Sequence, residues 1–490
     1  MKKIFVLLLL ALPWANESVA QKFKKLPEAS ISENEVSKHI RFLASDELLG
    51  RNTGEPGNEA AARYIAEEWR SYGVQPINGS FLQEVPFERT SQPKHGRMKS
   101  GSENLKITED FLMMNGKGFK GSNLQVVRLP YAWASEDGSY DDFKDLDVAG
   151  KVIVAQIGHP ETKTFGAMLA ASRQKEALAK AHGAFALIEI FVAPLPWQTL
   201  VDNLGKDRID LAGKSSQPFN RFLINSATAK RIGERMDIDC AGLKKVRFQS
   251  ANVCGILPGA DAKLKNEYVI LSAHFDHIGH HQSETATEDT IFNGARDNAI
   301  GVAGLIEAAK CLAQKPASRS ILFLAFTGEE VGLKGSAYYA EHPLVPLNQC
   351  VFNLNIDGAG YDDTSLITGI GIKRTGIEAE VAKATKQMGL DFVDDPVPEL
   401  GLFDRSDNVS FAAKGIPAPT LSEGFRSFSE EIMKYYHREA DNPESLDFAY
   451  CTKFAQVYAY VARLIADKPV APSWPAGDKY EKAYQDLFNK

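Results

Sequence analysis

Three short apolar runs, residues 268–273, 321–326 and 351–356, predict buried strands, because each is too short for a core helix and is bounded by polar or turn-forming residues. Between the first two, residues 298–314 place Val302, Leu305, Ile306, Ala309 and Leu312 at helical spacing. Strand, helix, strand in that order implies an α/β protein with a mixed, mostly parallel sheet flanked by helices. In such sheets ligands collect beyond the carboxyl ends of the strands. Upstream, residues 32–43 and 58–72 read as amphipathic helices, the second introduced by Gly54-Glu55-Pro56-Gly57 and closed by Gly73. Downstream, residues 453–466 form a third. The pattern changes from about Phe111 to Lys245, where strand-like runs at 124–129 and 151–156, loops rich in Asp and Gly, and one helix at 172–182 predict a smaller, β-rich inserted domain. The expected division is a leader at 1–20, a first part of the main domain at 21–110, the insertion at 111–245, the rest of the main domain at 246–470 and a tail at 471–490.

The chemistry-bearing residues cluster at the predicted strand exits. His274, Glu330 and Asp357 each follow a strand, Asp297 precedes the helix, and His437 lies in a later loop. Three carboxylates and two neutral imidazoles carry three negative charges against the four positive charges of two divalent ions, and a bridging hydroxide would neutralise the remainder. Asp297 is the natural shared ligand, since its two oxygens can each hold one ion of a pair roughly 3.5–4 Å apart. Imidazole ligands favour zinc over magnesium or calcium, with cobalt or manganese as substitutes. Glu330 is assigned as the ligand and its neighbour Glu329 as the group that relays a proton from water to the leaving amine. Asp276, two residues after His274, is expected to orient that imidazole from behind. After His281 the chain has only His342 and His437, and His342 stands in a helical stretch just before Pro343, which leaves His437 as the ligand. His277, His280 and His281 read as solvated loop residues, with weak adventitious metal binding as the alternative.

These segments resemble peptidase family M28, the zinc aminopeptidase and glutamate-carboxypeptidase group. The similar stretches are SAHFDHIG at 272–279, GARDNAIG at 294–301, FLAFTGEEVGLKGS at 323–336, NLNIDGAG at 353–360, RSDNVSFAAKGIP at 405–417 and YYHREADNPESLD at 435–447. The resemblance implies Asp297, Glu330 and His437 on one zinc, His274, Asp297 and Asp357 on the other, Glu329 as general base, and a cis peptide between Asp297 and Asn298. It departs from the family at Asn408, where many members have histidine, and this puts the pocket wall in question. SDELLGRNTGEPGNEAAARYIAEEW resembles the family's opening segment. DFKDLDVAGKVIVAQIG with KEALAKAHGAFALIEI resembles a protease-associated (PA) domain, within which Trp197, Phe191 and Pro194 are read as core packing, with substrate contact as the alternative. The function implied is a di-zinc exopeptidase, with an aminopeptidase favoured. A carboxypeptidase, for which Arg405, Arg426 or Arg438 would supply the cation, and a single-zinc glutaminyl cyclase are the alternatives. A non-catalytic binding module would show a broken ligand set, and none is broken here.

Lys2 and Lys3, the apolar stretch 4–12 and Ser18-Val19-Ala20 before Gln21 have the form of a secretory signal peptide, so the enzyme is expected to be exported, periplasmic or extracellular. That stretch is too short for a transmembrane helix. A net charge of −7 and the lack of basic runs argue against a nucleic-acid partner, and the family resemblance implies peptides as the partners. The five cysteines match neither a zinc ribbon nor a redox motif and leave room for one disulfide, with Cys311 expected buried and free. Substrate-binding residues and oligomeric state are not legible.

Overall fold

The computed structural model describes residues 21, 23–192, 195–213, 218–281 and 289–488. The expected leader at 1–20 and Pro194 lie outside them. The chain divides into two compact units, one drawn from Met1–Val85 with Gln249–Lys490 and the other formed by Pro86–Phe248.

The first unit contains helices α1 (Glu33–Leu43) and α2 (Pro56–Tyr72), then β1 (Lys244–Leu257, from residue 249 onward), β2 (Tyr268–His274), α3 (Ile300–Gln314), β3 (Ser320–Phe326), α4 (Lys334–Glu341), β4 (Cys350–Ile356), β5 (Leu366–Ile370), α5 (Glu378–Gln387), β6 (Asp391–Asp394), β7 (Thr420–Glu423) and α6 (Phe448–Ala466). The strands lie in the order β6-β5-β7-β4-β2-β3-β1. The central four, β7, β4, β2 and β3, are parallel. On one edge β1 runs antiparallel to β3, and on the other the parallel pair β5 and β6 runs antiparallel to β7.

Alternation along β2 and β3 explains why both read as continuous apolar runs. Val269, Leu271, Ala273, Ile321, Phe323 and Ala325 point into one core, with α1, α2, α3 and α6 over it. Ile270, Leu322, Leu324 and Phe326 point into a second core, with Tyr339 and Phe411. A sheet covered on both faces has no polar side to display. Each fully buried Leu, Ile or Phe contributes about 1.5–3 kcal/mol by leaving water.

Local signals explain the helix ends. Ser32 caps α1 by accepting from the Glu35 N–H, Pro56 starts α2 and Gly73, in the left-handed region, ends it. Helix α6 begins earlier than its apolar periodicity suggests, at Phe448, because Asp447 caps it through the Tyr450 N–H. The segment expected to be a tail packs onto the second core instead. Trp474 is buried and donates to the Gly415 carbonyl, Arg374 forms a two-pronged pair with Asp478, and Tyr484 and Leu487 of the helix Glu481–Phe488 face the same core.

The second unit holds an eight-stranded mixed sheet whose parallel centre is Gly118–Arg128, Val152–Gln156, Ala186–Phe191 and Asn220–Asn225. It starts at Pro86 and not at the expected Phe111, because Gly96–Ser100 and Glu103–Lys106 form a hairpin that extends this sheet on Arg235–Ala241. Their polar, glycine-containing sequence hides two strands. The helix expected at 172–182 spans Phe165–Ala181, capped by Thr164. Phe191 is buried against Leu200 and Leu223, and Trp197 packs on the same cluster while its indole N–H donates to the Thr108 carbonyl. All five cysteines are buried free thiols, so the disulfide that the count allowed is not formed. No helix among the described residues is long and apolar enough to cross a membrane.

Candidate metal centre

The chain runs from β2 through α3 to β3 on one side of β2, and then from β3 to β4 on the other. Loops after β2 and β4 therefore part at the sheet's carboxyl edge and leave a crevice. His274 is the last residue of β2 and Asp357 the first after β4. Glu329 and Glu330 occupy the turn after β3, and Asp297 the turn before α3, whose helix dipole favours a negative charge there. His437 comes from the loop before α6, with φ of 54° and its ring stacked on Tyr436 at 4.1 Å. The Asp297–Asn298 peptide is cis. The Asn298 amide ties the strand ends together, donating to the carbonyls of Ile356 at 3.1 Å and His274 at 3.4 Å.

The donors fall into two sets that divide the oxygens of Asp297. His274 Nε2 lies 3.3 Å from both Asp297 Oδ1 and Asp357 Oδ1. His437 Nε2 lies 3.2 Å from both Asp297 Oδ2 and Glu330 Oε2. A tetrahedral ion with bonds of 2.0–2.1 Å separates its ligand atoms by about 3.3 Å. The histidine–carboxylate distances of both triads match that spacing, their nitrogen and oxygen donors suit zinc, and His277 stands close enough to the set of Asp297, Glu330 and His437 to be a fourth member of it. Glu329 belongs to neither set and lines the adjoining pocket with Ile370, Leu402, Phe425, Phe428 and Tyr436.

Without an ion the donors hold one another's charges. Burial works to raise Asp297, but hydrogen bonds from His274 and His437 win and leave it well below its usual range. Burial and Asp297 likewise press Glu330 upward, and His277 and His437 hold it down at about 2. Burial would lower both ligand imidazoles, yet Asp357 and Asp297 raise His274 well above its ordinary value, and Asp297 with Glu330 brings His437 to about 10. Glu329 moves the other way. Burial pushes it well above the normal carboxyl range, His274 opposes this, and Asp357, Glu330 and Asp407 add to it.

Several placements differ from the sequence reading. The Asp276 carboxylate is 3.9 Å from His274 Nδ1, while the Asp276 backbone carbonyl is at 3.2 Å and takes that contact. The carboxylate instead accepts from the N–H groups of Glu329 at 3.1 Å and Glu330 at 3.4 Å and from the Thr53 hydroxyl at 2.9 Å, fixing the glutamate turn. His277 is not solvated: its side chain is fully buried, with Nδ1 2.7 Å from Glu330 Oε1. His280 and His281 are exposed. Asn408 does not line the pocket; it is buried and donates to the carbonyls of Phe403 and Ala418, both at 3.1 Å, so it braces a loop. Asn408→Ala is expected to lower unfolding free energy by about 2 kcal/mol, through two lost hydrogen bonds, without changing KM. Denaturant unfolding and steady-state kinetics check the two halves of that expectation.

Sequence reasoning missed five buried charged residues around the candidate donors. Asp441 accepts from the backbone N–H of Arg296 at 3.0 Å and of Asp297 at 3.2 Å, joining the His437 loop to the Asp297 turn. Arg296 carries this link further, its guanidinium 3.7 Å from the Tyr435 ring centroid. Arg51 donates to the carbonyls of Phe275 at 2.8 Å, Asn293 at 2.6 Å and Gly294 at 3.1 Å, clasping both ligand loops. Its approach needs Gly50, with φ of 67°, where a Cβ would sit 2.2 Å from the Gly279 carbonyl oxygen. Asp407 and Glu423, raised by burial to about 7 and about 8, complete the acidic surroundings. Arg296, Asp407 and Asp441 stand among other charged residues, and nothing local separates a buried charge from a solvated one there. For Arg51 the one available signal was its place in the SDELLGRNTGEPG segment.

An α/β sheet with two donor sets joined by one carboxylate at its carboxyl edge is the architecture of a metalloprotein. The sequence model of peptidase family M28 matches residues 252–462. It is 26% identical over 202 residues to aminopeptidase YwaD of Bacillus subtilis, covering 40% of each chain. It is 29% identical over 145 residues to a probable leucine aminopeptidase 2 of Aspergillus oryzae, covering 28% of this chain and 29% of that one. The chain thus spans less than half the length of these curated relatives. Among solved structures it resembles an aminopeptidase from Aneurinibacillus sp. strain AM-1, with a TM-score of 0.58 and 21% identity over 93% of this chain and 98% of that chain. It also resembles BSAP, a zinc aminopeptidase from Bacillus subtilis, with a TM-score of 0.51 and 19% identity over 91% and 98%. At those identities the likeness shows the fold.

Proposed function

We propose that this chain is a di-zinc aminopeptidase. The observation that carries the reading is the division of Asp297 between two donor triads beside Glu329, which stands in the pocket and outside both sets. His274, Asp297 and Asp357 would hold one ion, and Asp297, Glu330 and His437 the other. Bound there, the ions would polarise a peptide carbonyl and acidify water, and their charge would reverse the upward push that burial gives Glu329. Glu329 then accepts a proton at its carboxylate and returns it to the leaving amine. Asp276, through the N–H groups of Glu329 and Glu330, fixes where those two side chains start. Ile370, Leu402, Phe425 and Phe428 offer an apolar wall to the first side chain of the peptide, and the acidic surroundings favour its free amine.

The carboxypeptidase reading rests on Arg405, which lines the pocket, whereas Arg426 is paired with Asp363. A panel of leucyl and phenylalanyl anilides, amino-blocked and carboxyl-blocked peptides, and amino-terminal glutamine peptides separates the classes. Release from free amino ends is expected, with about two zinc ions per chain. Cleavage of amino-blocked peptides alone would move the assignment to a carboxypeptidase, and cyclisation of glutamine with one zinc to a cyclase.

Protonated His437 must lose its proton to bind an ion. With its metal-free value raised to about 10, protons compete throughout the range below that. Zinc uptake at pH 7 is therefore expected to release protons, and affinity to climb as pH rises towards 10. Calorimetry in buffers of different ionisation enthalpy reads the proton count directly. Export is proposed from the amino-terminal leader pattern, and a mature chain beginning at Gln21 is the expected result of amino-terminal sequencing.

A further inference from the structure

One imidazole beside the ligands has no role in the scheme above. His277 is fully buried, and its Nδ1 lies 2.7 Å from Glu330 Oε1, the oxygen that does not face His437. An ionised carboxylate only accepts, so Nδ1 carries the hydrogen and donates. The same Nδ1 is 4.0 Å from Asp297 Oδ1, beyond hydrogen-bond reach. Nε2 is buried without a hydrogen-bond partner among the described residues, so nothing on that side of the ring competes for its orientation. Packing holds the ring in place: a Cβ on Gly294, at φ of 60°, would lie 2.6 Å from a ring carbon, and the His437 ring meets it edge-on at 5.5 Å.

We propose that His277 is a positioning residue that occupies Oε1 of Glu330 and so presents Oε2 alone to the ion shared with Asp297 and His437. A carboxylate free to swing can offer one oxygen or both, whereas one anchored by a hydrogen bond offers a single oxygen in a fixed direction. The two positions then differ in kind: His274 is steadied by a backbone carbonyl, and Glu330 by a side chain that substitution can remove. The inference rests on the two-ion reading of the site.

The test is titration of the metal-free protein with Co²⁺ against a competing chelator, followed by visible absorption, for the wild type, His277→Phe and His277→Asn. Phenylalanine keeps the ring without the donor, and the asparagine amide restores an N–H near the Nδ1 position. His277→Phe is expected to weaken one of the two Co²⁺ steps by 10- to 100-fold and to alter the absorption of that step, leaving the other step unchanged. His277→Asn is expected to stay within about threefold of wild type. Equal binding by His277→Phe and wild type overturns the proposal. An asparagine variant as weak as the phenylalanine one also overturns it, showing that the imidazole is itself a ligand. Should His277→Phe not fold, as judged by thermal unfolding of the metal-free protein, His277→Leu takes its place in the comparison with His277→Asn. A wild type that binds a single Co²⁺ defeats the two-ion reading separately, and the variant comparison on that remaining ion still decides the role of His277.

Discussion

Replacing Glu329 by glutamine is expected to lower kcat on a leucyl anilide by about 10²–10⁴-fold, the usual contribution of a positioned acid–base group. Glutamine has nearly the same shape and keeps the backbone N–H bonded to Asp276, so the turn after β3 should survive. What it loses is the ability to take a proton and give it back. Because Glu329 lies outside both donor triads, metal content should stay at the wild-type value and thermal stability should not fall. KM should change little, since the apolar wall of the pocket is untouched. Metal analysis and steady-state kinetics on the same preparation read both quantities. A parallel loss of metal would make Glu329 a ligand, and an unchanged kcat would remove it from the mechanism.

The second large effect is expected for Asp297→Ala. This one side chain supplies Oδ1 to the triad with His274 and Asp357, and Oδ2 to the triad with Glu330 and His437. Its loss leaves two donors in each set, too few to hold an ion at a structural or catalytic zinc site. Affinity at both positions should fall by more than about 100-fold, beyond the loss typical of removing a group behind a ligand. In the metal-free protein the same change strips His274 and His437 of a buried carboxylate, which costs about 3 kcal/mol. A ligand that binds only the folded state stabilises it in proportion to the logarithm of its saturation, so zinc should raise the wild-type Tm and leave the variant's unmoved. A variant that still bound two ions would show that Asp297 does not join the sets.

The strands were legible because they depend on local pattern, and the same strand exits and the loops beyond them singled out the five candidate donor positions. An apolar run ending in His274, or in a turn bearing Glu330, marks the exit of a buried strand wherever the rest of the chain goes. The cis peptide was expected from the family resemblance alone, and the choice between Glu329 and Glu330 drew on it as well. What sequence could not give was the environment of a polar residue. His277 sits in FDHIGHH among exposed histidines and looks no different from His280, yet the turn at Gly294 folds over it. Asn408 reads as a pocket residue until the loop carbonyls of Phe403 and Ala418 are seen to surround its amide. The hairpin that opens the second unit and the carboxyl-terminal packing of Trp474 were missed for the same reason: a strand or aromatic side chain finds its partner only in three dimensions.

The clasp made by Arg51 bears on how the molecule assembles. Its bonds to Phe275 and Asn293 span 224 and 242 residues, whereas its bond to the Leu43 carbonyl spans 8. Closing the longer separation costs about 3 kcal/mol more in chain entropy than the shorter one, and contacts of such high sequence separation slow folding. Arg51 also leaves the ribosome long before either ligand loop exists. The clasp therefore cannot close until the chain has been made as far as Gly294, and the guanidinium waits for the loops it holds.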